Sequence, residues 1–307
     1  MVGSVDNIFS SGDVEVTINL LKSEFDSSFP AKDLLFLLIG SYKKSYKSSL
    51  FSDVDIFAIP IMQTQAYIDL EAMDRLCLPF RKVASALEKE ENMYLLGFDW
   101  LLTCRYGSDL VRYKMAIEKG CELDKIKVMP VNCVFYSTIN SYFFRNYDLL
   151  KFWKREYKDS TVILGGNRIW SVFEDLEDKA RREKIGTESM HNVTEAIKHI
   201  ELSYIELRSN VFLPYSLLRK RSISSLRSSI LHIEKLLFKR SYNLNVFSLE
   251  DAMKHIEKIP ENILKVHEGL SVLETYGGEE PSEDDLVQLY KKAVKGLNGL
   301  ALSNSDQ

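Results

Sequence analysis

The N-terminal half of the chain mixes two spacings of apolar residues. Val14 to Phe25 repeats at helical spacing, with Ile18, Leu20, Leu21 and Phe25 on an apolar side, and Pro30 closes the region. Asp33 to Ile39 (DLLFLLI) is instead a short, nearly unbroken apolar run ended by Gly40, which predicts a strand covered on both faces. Residues 42–52 (YKKSYKSSLFS) are rich in serine and lysine and predict a loop. Val54 to Ile61 predicts a second strand stopped by Pro60, Tyr67 to Leu87 a helix, and Met93 to Cys104 a third strand. Leu110 to Lys119 predicts a helix with Gly120 as its stop. Ile126 to Tyr136 (IKVMPVNCVFY) predicts a further strand, with Pro130 marking an edge or a bulge.

Beyond about residue 150 the spacing becomes helical almost throughout. Glu188 to Arg208, Tyr215 to Lys239, Leu249 to Lys258, Ile263 to Tyr276 and Asp284 to Leu297 each repeat at about 3.6 residues. Pro260 and the Gly277-Gly278 pair separate them, and Ser282 with Asp285 predicts a capped start for the last helix. The outline is an α/β module over 1–155, a helical bundle over 156–300 and a short tail over 301–307, the join falling between about 150 and 190.

Composition narrows the class of protein. At 307 residues, 45% hydrophobic and 27% charged, the chain has the makeup of a globular protein with a sizeable core. No apolar run reaches the length of a membrane span, and no basic-then-apolar leader opens the chain. Cys77, Cys104, Cys121 and Cys133 are scattered without a CxxC pair, which predicts reduced thiols in a cytoplasmic protein. The formal net charge of −4 hides an asymmetry: residues 208–240 hold eight Lys/Arg against the one acid Glu234, whereas 241–307 hold twelve acids and six lysines. Anion binding, if present, is therefore local, and a solvated helix face paired with the acidic tail is the other reading.

The residues that carry chemistry lie around the first two strands. LLFLLI runs into Gly40-Ser41, eleven residues intervene, and Asp53-Val54-Asp55 opens the next strand. Alternate strand residues face one way, so Asp53 and Asp55 project together. Two carboxylates on one face repel unless a cation sits between them, and hard oxygen ligands of this kind suit Mg²⁺ bound together with phosphate. Gly40 permits close backbone approach, and the Ser41 hydroxyl and nearby amides can donate to phosphate oxygens.

The stretch GSYKKSYKSSLFSDVDIFAI resembles the signature of the polymerase-beta-like nucleotidyltransferase superfamily: an apolar strand, Gly-Ser, a loop, then Asp-x-Asp in a strand. Lys44 fills the basic place three positions after the serine. The resemblance covers residues 30–62 in detail and 1–150 in outline. It implies a core with a mixed sheet, and a reaction in which Asp53 and Asp55 hold Mg²⁺ against the triphosphate of a nucleotide, ATP being the expected donor. Gly40, Ser41 and Lys44 would hold its phosphates while an acceptor hydroxyl takes the nucleoside monophosphate and pyrophosphate leaves. The superfamily places a third carboxylate on a later strand. Val128 to Tyr136 carries no acid there, only the amide of Asn132, so Asp99 in GFDWLL is the first candidate, with Glu122 and Asp124 behind it. Size and domain order are similar to those of antibiotic-modifying nucleotidyltransferases and of nucleotidyltransferase toxins from toxin–antitoxin systems. The basic stretch points to a polyanionic acceptor such as tRNA, with a protein or small molecule as other acceptors. The alternative is a catalytically inactive nucleotide-binding or protein-interaction module that keeps the fold.

Weaker signals remain in the helical half. Arg227 and His232 have the Arg-x4-His spacing of an RNase motif known from helical domains that accompany nucleotidyltransferases. With five histidines and fourteen arginines in the chain, an incidental placement is the expectation. His191 to His199 and His255 to His267 lack the short spacing of zinc ligands. Neither a Walker loop nor GxGxxG occurs. Gly165-Gly166 predicts a turn between modules, with Asn167 and Arg168 candidates for an acceptor cleft, and the aromatic residues of NSYFFRNYDLLKFWKREY predict packing between modules.

Overall fold

The first helix, α1 (Ser11–Ser28), starts where Ser10 and Asp13 cap each other: Asp13 N donates to the Ser10 hydroxyl and Ser10 N to the Asp13 carboxylate. Its buried stripe is Val14, Ile18, Leu21 and Phe25, whereas Leu20, expected on that side, is 40% exposed. The stripe keeps the 3–4 residue interval of a helix face, and Leu20 stands about 100° away from Leu21. The computed structural model describes residues 9–30, 33–42, 54–62, 64–97, 105–146, 160–165, 174, 187–211, 213–275 and 282–302.

Five strands form one mixed sheet in the order β3-β4-β2-β1-β5, with β1 at Leu34–Ile39, β2 at Val54–Pro60, β3 at Met93–Gly97, β4 at Lys127–Phe135 and β5 at Thr161–Leu164. β1 is antiparallel to β2 and β5, while β2, β4 and β3 run parallel to one another. All six residues of β1 are buried, as the unbroken apolar run requires. The third strand is shorter than expected, ending at Gly97, and residues 98–104 lie outside the described ones. β4 is an interior strand, not the edge that Pro130 suggested. Its described pairing with β2 begins at Val131, so the missing proline N–H falls just before that ladder. β5 extends the sheet beyond residue 155.

One sheet face carries Phe36 and Phe135, packed by Phe25 of α1 and Phe80 of α2 (Leu70–Glu91). Residues paired across strands share a face, so Asp55, Phe57 and Asn132 lie on the other one. There Phe57 meets Tyr142 of α4 (Ile139–Arg145), which follows α3 (Arg105–Lys119) and β4. Tyr142, Phe143 and Phe144 are buried, so the aromatic segment over 140–146 serves packing, while 147–157 lies outside the described residues.

The C-terminal part is helical. α5 (Thr187–Ser209) and α6 (Tyr215–Tyr242) pack along each other, followed by α7 (Leu249–Met253), α8 (Glu261–Thr275) and α9 (Glu283–Leu302). The expected helix over 249–258 breaks after Met253, where Lys254 N and His255 N bond three residues back, and a separate 3-10 turn covers Ile256–Lys258. Ser282 and Asp285 cap α9 reciprocally, as the sequence predicts. A single apolar cluster runs from the sheet into these helices, and no described helix is long and apolar enough to cross a membrane.

Candidate functional site

The sheet brings the Gly-Ser turn against the second strand. Ile39 pairs with Asp55, and Gly40 turns the chain with φ +66 into a 3-10 turn over Gly40–Tyr42. A Cβ at Gly40 would stand 2.0 Å from Asp55 Oδ2, so only glycine lets the backbone lie against this carboxylate. Val54 and Ile56 are buried while Asp55 is half-buried, the alternation expected where a strand emerges at a sheet end. On its other side Asp55 is in register with Asn132 of β4, whose Nδ2 donates to Asp55 Oδ1 at 2.8 Å.

The residues proposed for phosphate and metal are thus partly assembled. Gly40 and Asp55 touch; Ser41 continues the turn, but its side chain is outside the described structure, as are Lys44, Asp53 and Asp99. The strand beside Asp55 offers an amide at the place where a third acid was sought. Glu122 and Asp124 do not reach it. They precede β4, and Asn132 lies five residue steps, about 16 Å, along the strand from Lys127. Glu122 pairs instead with Lys125 at 3.3 Å. The ligand atoms that Asp55 itself offers are carboxylate oxygens, hard donors of the kind that suits Mg²⁺ better than a softer ion.

A second polar cluster sits between α5 and α6. A carboxylate oxygen of Glu195 and one ring nitrogen each of His199 and His232 lie within 4.8 Å of one another. Glu195 and His199 are one turn apart on α5, with Oε2 and Nε2 3.8 Å apart. His232 arrives from α6; its Nδ1 bonds Asn192 Oδ1 at 2.9 Å, its ring stacks on His199 with 6.1 Å between centroids, and His191 meets it edge-on. Burial pushes the His232 imidazole down to about 4, helped by Lys235, His191 and His199 nearby. Burial also lowers His199, against the raising influence of Glu195. The spacings between histidines do not reveal this trio, although the Glu195-to-His199 interval is a usable signal.

The Arg-x4-His pair is split. Five residues on a helix turn through about 500°, and exposed Arg227 comes within electrostatic reach of Glu250 while His232 faces α5. The basic stretch is partly neutralised as well: Arg208 binds Asp74 and Glu283, and Arg221 binds Glu206. Gly165 has φ +81 and packs on the Leu34 carbonyl, as a turn glycine does, while Gly166, Asn167 and Arg168 lie outside the described residues. Cys77, Cys121 and Cys133 are free thiols. Compared with family models, curated proteins and solved structures, the chain matches none.

Proposed function

We propose that the sheet end around Gly40 and Asp55 binds the triphosphate of a nucleotide with Mg²⁺ and supports transfer of a nucleoside monophosphate, ATP being the expected donor. The observation that supports this reading is the close approach of the Gly40 backbone to the Asp55 carboxylate, a carboxylate oxygen beside a glycine turn. Asp55, with Asp53, would hold the ion, whose contribution is to neutralise triphosphate charge as pyrophosphate departs. Gly40 and Ser41 would orient the phosphates, and Lys44 would add positive charge. The acceptor hydroxyl oxygen would form a bond to the α-phosphorus as the bond to the α,β-bridging oxygen breaks, the electron pair leaving with pyrophosphate and the hydroxyl proton passing to solvent. Asp55 lies on the sheet face that also packs α4, so an acceptor would enter from the side of the helices.

Asn132 favours a second reading, nucleotide binding without turnover. An amide donates to Asp55 but cannot take a proton from an acceptor hydroxyl. Incubating the protein with Mg²⁺, α-labelled ATP and total cellular RNA and protein distinguishes the two. Label transfer that disappears in Asp55→Ala supports the transferase; ATP binding without transfer supports the binding module; no ATP binding with Mg²⁺ present removes both.

A further inference from the structure

The Glu195–His199–His232 cluster has no part in the nucleotide reading and stands on its own geometry. Two of its residues lie one turn apart on α5 and the third comes from α6, so ligands converge from two helices that pack along each other. We propose that Glu195, His199 and His232 form a binding site for one divalent first-row transition ion of the Zn²⁺ class.

The donor chemistry selects that class. Two imidazoles and one carboxylate suit Zn²⁺ or its neighbours, whereas Mg²⁺ and Ca²⁺ prefer all-oxygen sets. Metal–nitrogen bonds of about 2.0–2.1 Å in a tetrahedron put ligand atoms roughly 3.4 Å apart. The donor atoms are already within 4.8 Å, so small side-chain rotations complete the site without moving either helix. An Nδ1–H donated to Asn192 leaves the His232 lone pair on Nε2, the arrangement of a ligand oriented by a partner behind it.

Three protein ligands leave a coordination position, as in catalytic zinc sites and unlike closed structural ones. Beside His199 lies a cavity of about 370 Å³ whose walls include Lys198, Ser203, Glu206 and Arg221. Of the three ligands, His199 alone lines it.

Titration of the chelator-treated 307-residue chain with Zn²⁺ or Co²⁺ tests the site. The expected result is one ion per chain and ring-nitrogen NMR shifts at His199 and His232, with His255 and His267 unchanged. His199→Ala and His232→Ala should each weaken binding at least about 100-fold, and Asn192→Ala about 10-fold. Asp55→Ala should bind zinc as the wild type does, which separates this site from the nucleotide site. No uptake by the wild type, shifts confined to other histidines, or unaltered affinity in a folded His232→Ala would each overturn the assignment. The NMR measurement uses the unaltered chain, so it decides even where a variant does not fold.

Discussion

Gly40 meets two constraints at once, a left-handed backbone and a carboxylate where a side chain would go. Its φ of +66 costs any other residue about 1–3 kcal/mol, and the 2.0 Å separation between an added Cβ and Asp55 Oδ2 forces Asp55 to move. Gly40→Ala should therefore lower the denaturant midpoint and weaken Mg²⁺-dependent ATP binding together; a variant with wild-type ATP affinity would argue that the turn does not hold phosphate. A different residue-level cost sits in the bundle. Glu234 is fully buried, its Oε1 bonds His267 at 2.6 Å, and its Oε2 has no partner among the described residues. Burial raises the Glu234 carboxyl above 4.5, against the opposing bond from His267. The folded state then binds this proton more tightly than the unfolded state. Its contribution to stability is present below about pH 4.5 and declines as pH rises through the raised value. Glu234→Gln should gain thermal stability relative to wild type as pH goes from 4.5 to 7.5, and parallel melting curves over that range would refute the account.

At the scale of elements, α1 is held along its length by its buried stripe and at its start by polar bonds. Asp13 closes the capping box with Ser10 and also receives Lys127 of β4 at 2.8 Å. Burial raises the Asp13 carboxyl, but the bonds from Lys127 and Ser10 outweigh it and hold it below 3.8. Removing the carboxylate half of the capping box together with the tie in Asp13→Ala should cost about 1–2 kcal/mol, whereas Lys127→Met, which spares the box, should cost less than about 1 kcal/mol. Equal losses in chemical denaturation would show that the Asp13 half of the box contributes nothing. The same capping logic explains what the sequence reveals. Ser282 with Asp285, the apolar run of β1 and the glycine stop at Gly120 are signals within a few residues, and each appears where expected. Gly40 and Asp55 were legible because a turn and the next strand follow in order. Asn132 as partner of Asp55 was not, since it depends on the parallel register of β2 with β4, which no local pattern sets. The Glu195–His199–His232 trio needed the packing of α5 on α6 for the same reason. Leu20 shows the opposite failure, an apolar residue inside a helical stretch but off its buried face.

Over the whole molecule, helices and sheet share more than apolar surface. Glu201 of α5 is fully buried and accepts bonds from Ser137 N at 3.0 Å, from the Ser137 hydroxyl and from Arg145 at 2.9 Å. Ser137 lies just after β4 and Arg145 ends α4, so one carboxylate fastens α5 to the sheet layer. Asn298 of α9 makes a comparable tie, accepting from Tyr67 N and Ile68 N ahead of α2. Since the apolar cluster is continuous through both parts, sheet and bundle should unfold in one transition, with far-ultraviolet circular dichroism and tyrosine fluorescence coinciding. Glu201→Ala leaves Arg145, whose side chain is only 11% exposed, as a buried charge without its partner, which costs about 3–5 kcal/mol. Arg81→Ala breaks a pair with Glu283 in which the arginine is 40% exposed, and should cost no more than about 1 kcal/mol. The contrast tests the architecture more sharply than either value. If Glu201 joins the layers, its loss should split the single transition or shift both probes together by several kcal/mol, while Arg81→Ala leaves them superimposed on wild type. Two small and equal shifts would mean that apolar packing alone holds the bundle to the sheet.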